Sequence, residues 1–269
     1  MNMSHDDEGG ILIIGRESKS SMEQEDRPRR VVVAMKGHPG TGKTTLSRFI
    51  ATSLRCPLLD KDDVRDSTFA VGAQLVSIAK VESQYATKLL NDLSYEALWR
   101  MVKTQLSLGL SVVIDSPLSR KVHLDRLVEL TDSFDGYQLV VVECKPKDES
   151  EWRRRLEKRG EDGCCGSWHK PTTWRDMEKF LEGYNGCIDY DVGKVPKLVL
   201  DTTATSGKVV DLAKLVMEFL DASNICLPFM QTFPCVDPFQ LHHLNLAHTS
   251  RLPEHRDDAS SSSDSRLKC

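Results

Sequence analysis

The residues best suited to chemistry lie between Gly37 and Thr45, in the stretch GHPGTGKTT. Residues 37–44 fit G-x-x-x-x-G-K-[ST], the phosphate-binding P-loop, and each residue type has a physical reason. A triphosphate is met by several backbone N–H groups turned inward from a tight loop, and Gly37, Gly40 and Gly42 permit that backbone. Lys43 can reach the β- and γ-phosphates, and the Thr44 hydroxyl can sit on Mg²⁺. His38, Pro39, Thr41 and Thr45 complete the expected nucleotide-contact set. ATP and Mg²⁺ are therefore the expected ligands.

Three further groups carry charge in places where it could act. The first is Asp60-Lys61-Asp62-Asp63-Val64-Arg65. A carboxylate here can accept a hydroxyl proton, and an arginine three residues on can hold an acceptor. Asp62 is the expected base, Asp63 is the alternative if the register shifts by one, and Arg65 is the expected acceptor contact. The same charges would also suit an ordinary helix start. The second is VVIDSPLSR, whose Asp115 could serve Mg²⁺ through water or aid the acceptor site, with Arg120 close behind. The third is WRRRLEKRG, which puts Arg155 and Arg159 on one helical face and Trp152 and Leu156 on another. Two guanidiniums before a flexible loop suit a lid over phosphates, exposed until it closes; a solvated basic helix would read the same way.

These groups need elements to position them. Val31–Met35 is apolar without alternation, as in a parallel strand buried on both faces. Leu46, Phe49, Ile50 and Leu54 then recur at helical spacing. Strands are expected at Pro57–Leu59, Ser111–Ile114, Leu139–Cys144 and Lys197–Leu200. Helices are expected around Tyr95–Leu106, Ser119–Leu130, Asp148–Arg159, Met177–Tyr184 and Leu212–Phe219. Alternating strands and helices imply a parallel α/β sheet with ligands at the strand C-termini. The expected organisation is a polar tail over residues 1–28, one domain over 29–222 with a lid at about 150–172, and a loosely held tail over 223–269. Ile11–Ile14 could add an edge strand.

Bulk properties narrow the classes. The chain of 269 residues carries a formal charge of −4, so no global basic field draws it to nucleic acid or a membrane. No apolar run approaches a membrane span, and the acidic start MNMSHDDEGG is unlike a targeting peptide. Eight cysteines without such a leader read as reduced thiols, and the expected compartment is the cytoplasm, or the nucleus. Cys164, Cys165, His169 and Cys187 could suggest zinc, but adjacent cysteines suit one ion badly and no C-x-x-C pair is present.

GHPGTGKT, KDDVR, the strand tip ending in DSPL and R-x-x-x-R-G together resemble the kinase domain of polynucleotide kinase. More broadly they resemble the P-loop kinases that include zeta toxin and chloramphenicol phosphotransferase, over about residues 31–220. The resemblance implies a P-loop NTPase sandwich with strand order 2-3-1-4-5. It implies Asp62 as general base, Arg65 on the acceptor, Asp115 as the third-strand carboxylate, and Arg155 and Arg159 as lid arginines. The expected activity is transfer of the γ-phosphoryl group of ATP to a hydroxyl of a small molecule. A 5′-hydroxyl polynucleotide acceptor, and a nucleotide-dependent binding module or slow ATPase, are the alternatives. The acidic second-strand tip and the lack of aromatics beside basic residues favour the small molecule over a strand of DNA or RNA.

Overall fold

The computed structural model describes residues 30–77, 82–161, 170–204, 209–223 and 225. All of them fall in one compact unit within Met1–Phe229. Ile11–Ile14 and the expected tails, apart from Ser223 and Ile225, lie outside the described residues. So do Cys164, Cys165 and His169, while Cys187 is an exposed free thiol.

The elements follow in the order β1 (Arg30–Lys36), α1 (Lys43–Leu54), β2 (Leu58–Asp60), α2 (Lys61–Ser67), α3 (Phe69–Ser77) and α4 (Ser83–Ser107). Then come β3 (Val112–Asp115), α5 (Lys121–Asp132), β4 (Tyr137–Lys145), α6 (Glu149–Glu161), α7 (Trp174–Tyr184), β5 (Lys197–Asp201) and α8 (Val209–Ala222). The five strands are all parallel, in the order β2-β3-β1-β4-β5. This is the P-loop NTPase sheet expected from the sequence.

Apolar residues are unbroken along β1 because both faces of that strand are covered. Val31, Val33 and Met35 pack on one side with Leu46 and Ile50 of α1 and Val216 and Leu220 of α8. Val32 and Ala34 pack on the other with Leu98 and Val102 of α4 and Leu124 and Leu127 of α5. Each such Val or Leu, fully buried, contributes roughly 1.5–3 kcal/mol, so the central strand is held from two sides. Leu215, expected in the apolar stripe of α8, is instead 47% exposed. The stripe runs through Leu212, Ala213, Val216, Met217 and Leu220, and at 100° per residue Leu215 is rotated away from it.

A smaller cluster lies outside the sheet: Trp152 and Leu156 of α6 meet Trp174 and Met177 of α7. Local chemistry starts both helices. The Asp148 carboxylate accepts the backbone N–H groups of Ser150 and Glu151, and the Thr173 hydroxyl accepts that of Asp176. Among the described residues no helix is long and apolar enough to cross a membrane.

Candidate active site

The loop between β1 and α1 is shaped by glycine. Gly37 has φ +141°, and a Cβ there would fall 2.5 Å from the Cys144 carbonyl oxygen of β4, so only glycine lets the chain turn so close to its neighbour strand. Gly42, left-handed, precedes α1, whose N-terminal N–H groups and dipole open into the loop. The Lys43 ammonium crosses the loop and donates to the His38 carbonyl at 2.7 Å, and the Thr41 hydroxyl donates to the same oxygen at 2.9 Å. Burial is the largest influence on Lys43 and lowers its pKa, with Asp115 opposing. His38 is held neutral, its pKa lowered to about 4 by burial first and by Lys43 next.

Strand register puts carboxylates beside this loop. Asp60 ends β2 directly opposite Asp115 at the end of β3, and β3 adjoins β1. Asp115 is buried, and the Ser47 hydroxyl of α1 lies 3.3 Å from its Oδ2. Asp60 caps α2 by accepting the Asp62 backbone N–H at 2.8 Å. The Asp60 carboxyl is raised to about 7, by burial first and then by the charges of Asp115 and Asp62. Sequence reading passed over Asp60 as one charge among several; its pairing with Asp115 exists only across the sheet.

Asp62 lies one helical step further on and both of its oxygens are engaged. Lys61 Nζ is 3.0 Å from Oδ1, and Lys170 Nζ is 2.6 Å from Oδ2. Lys61 is itself buried under the Tyr95 ring, 5.7 Å from its centroid, and Tyr95 stacks on His123 at 3.7 Å. Burial and then Arg120 lower the His123 pKa to about 4, so this aromatic wall is neutral. Neither Lys170 nor the Tyr95–His123 stack has a motif that would have signalled it. Asp63 is exposed, and Arg65 is buried within α2, with Nη1 donating to the Thr68 hydroxyl at 3.0 Å. Arg120 is exposed at the start of α5.

An arrangement with a phosphate loop on one strand tip and carboxylates on the next two now has its counterpart in known proteins. The family model described as AAA domain matches residues 32–183. The chain belongs to the AAA domain family. Among solved structures, a candidate kinase from Chloroflexus aurantiacus aligns at 20% identity with a TM-score of 0.52, covering 72% of this chain and 98% of that one. A sugar kinase from Janibacter sp. aligns at 17% identity with a TM-score of 0.49, covering 74% and 99%. The first of these likenesses supports the fold. No curated protein matches the chain.

In this AAA domain the lid arginines differ from the expectation that both stand exposed. Arg155 is half-buried and bonded: Nε donates to Glu151 at 2.7 Å and Nη1 to the Thr202 carbonyl, also at 2.7 Å. Arg159 is half-buried too, with Nη2 donating to the Pro171 carbonyl at 2.8 Å. The reason is that α6 is docked rather than free. The Trp152 indole N–H donates to the Pro39 carbonyl of the phosphate loop at 2.9 Å, and the Thr203 hydroxyl accepts the backbone N–H groups of Lys147 and Asp148.

The oxygen donors at the loop suit a hard cation. Thr44 begins α1, and Asp115, buried beside Ser47, offers a carboxylate on the same side. Among the described residues no group of three or more His, Cys, Asp or Glu is arranged to hold a metal by itself. An Mg²⁺ here would depend on the phosphates for the rest of its shell.

Proposed function

We propose that this protein is an ATP-dependent kinase that phosphorylates a hydroxyl of a small molecule. The observation that carries this reading is the pairing of a phosphate loop with a neighbouring carboxylate pair, Asp60 opposite Asp115, and with Asp62 beside them. A nucleotide-binding module needs the loop alone; carboxylates on the adjoining tips are what an acceptor hydroxyl requires.

The residues divide the work. The loop amides and Lys43 hold the β- and γ-phosphates, and Thr44 and Asp115 would hold Mg²⁺, which supplies charge neutralisation on those oxygens. The acceptor oxygen forms a bond to the γ-phosphorus as the bond from phosphorus to the β–γ bridging oxygen breaks, and ADP leaves with that electron pair. Asp62 takes the hydroxyl proton, because it lies past the carboxylate pair on the acceptor side. Asp60, kept near neutrality by Asp115 and Asp62, can donate a hydrogen bond rather than add a further charge. Arg65 and Arg120 are proposed acceptor contacts. Asp60, Asp62, Asp63, Asp66 and Asp115 make this side acidic, which disfavours a polyanionic strand of nucleic acid and favours a small acceptor.

The test is ATP consumption against a metabolite pool and against a 5′-hydroxyl oligonucleotide, for wild type and Lys43→Ala. One small compound that stimulates wild-type ADP release, with a loss of ~10³-fold in the variant at unchanged melting temperature, is the expected result. Efficient salt-sensitive labelling of the oligonucleotide would replace the acceptor class. Equal turnover in the two proteins would remove the nucleotide site.

A further inference from the structure

The basic lid helix drew attention to two arginines, but neither is the cation nearest the carboxylates. Both are committed, Arg155 to Glu151 and the Thr202 carbonyl and Arg159 to the Pro171 carbonyl. The cation that reaches the strand tips comes from the segment returning to α7. Lys170 is three-quarters withdrawn from solvent, with its ammonium 2.6 Å from Asp62 Oδ2. Its charge also acts on Lys43, and Asp60 acts on it, so it stands between the donor loop and the acceptor carboxylates.

Its placement is built into the chain on either side. Arg159 clips the carbonyl of Pro171, the next residue. At Gly160 a Cβ would come within 2.5 Å of the Thr172 carbonyl oxygen, so glycine lets α6 lie directly against the returning segment. Trp174, two residues on, packs edge-on against Trp152, 5.2 Å between rings, and Trp152 is bonded to the phosphate loop. The R-G pair that resembled a phosphate clamp thus shapes the approach of Lys170.

We propose that Lys170 is the lid side chain that bonds the γ-phosphate of ATP, and that Arg159 and Gly160 position it. This rests on the kinase reading above. An ammonium on a flexible stem is a point charge that can change partners, unlike a guanidinium fixed in a fork. The γ-phosphate arrives between Lys43 and Lys170 and competes with Asp62 for the second ammonium. Lys61 stays on Oδ1, so the carboxylate remains ionised, while Oδ2 is uncovered and can take the acceptor proton. Donor binding therefore exposes the base, and the site is not armed until ATP is seated.

Calorimetric titration of the full chain with MgADP and with Mg²⁺ and adenylyl imidodiphosphate tests this without knowledge of the acceptor. Lys170→Met is expected to bind MgADP as wild type does and the triphosphate analogue about tenfold more weakly, since one charge-assisted contact to the third phosphate is lost. Lys170→Arg keeps the charge and stays within about threefold of wild type on the same scale. Arg159→Gln shows the Lys170→Met pattern in smaller degree. Unchanged analogue binding in Lys170→Met, or an equal loss for both nucleotides, overturns the proposal; the latter would mean that Lys170 only supports the fold. Wild type that binds neither nucleotide would instead overturn the nucleotide site, and this proposal with it.

Discussion

The donor and acceptor halves of this site are made from different materials. The donor half is backbone: nine consecutive residues, Gly37–Thr45, turn amide groups toward one point, with Lys43 added. The acceptor half is side chains brought from four places, with Asp60 and Asp62 from the end of β2 and start of α2, Asp115 from β3, Tyr95 and His123 from α4 and α5, and Lys170 from the lid segment. A backbone site tolerates little change in shape, because a loop too close to its neighbours has no rotamer with which to adapt. A side-chain site is tuned by charge, because its groups shift one another's protonation. The two halves should therefore fail in different ways.

The largest effect is expected on the donor side. Gly37→Ala forces a Cβ against the Cys144 carbonyl and into a φ that favours glycine, costing about 2–4 kcal/mol of stability and most nucleotide binding. Thermal melts with and without MgADP check this. An unchanged melting temperature and affinity would mean that the loop relaxes freely and that the contrast is false.

On the acceptor side Asp62→Asn should spare both fold and ATP affinity while lowering phosphoryl transfer by ~10²-fold, the low end of what a positioned base supplies. Titration with ATP beside a turnover assay separates the two. A variant that loses ATP affinity and keeps its rate would move Asp62 to the donor half.

Asp60→Asn should show the acceptor half storing electrostatic strain. The folded carboxyl titrates near 7 rather than 3.8, because of burial, Asp115 and Asp62. Between those values the unfolded chain has released its proton and the folded one has not, so stability falls as pH rises from about 4 to 7 and then levels off. Asparagine keeps the helix cap and removes the charge. The variant should be about 1–2 kcal/mol more stable than wild type at pH 8 and no more stable at pH 4, as read by denaturant melts at both values.

The smallest effect is expected at Arg155. Its bonds go to Glu151 and to the Thr202 carbonyl, so Arg155→Lys should alter transfer by less than about threefold while loosening α6 by less than about 1 kcal/mol. A steep fall in transfer with ATP binding intact would restore Arg155 as a phosphate clamp.

Much of the fold was legible because its signals are local. The apolar run at Val31–Met35 marks a strand covered on both faces, and the spacing of Tyr95, Leu98, Trp99, Val102 and Leu106 marks one buried helical face. The P-loop was legible because its function is carried by contiguous backbone. What the sequence could not convey is distance between remote residues. That Asp60 faces Asp115 depends on the register of β2 with β3. That Arg155 and Arg159 are tied down follows from α6 docking on Pro39 and Thr202, although their i, i+4 spacing correctly put them on one face. Lys170 carries no motif at all: a lone lysine 108 residues from its partner in the sequence acquires meaning only when the chain returns along Gly160 and sets its ammonium on Asp62. Periodicity and loop chemistry are properties of neighbours along the chain, whereas electrostatic partnership is a property of neighbours in space, and only the packed sheet creates those.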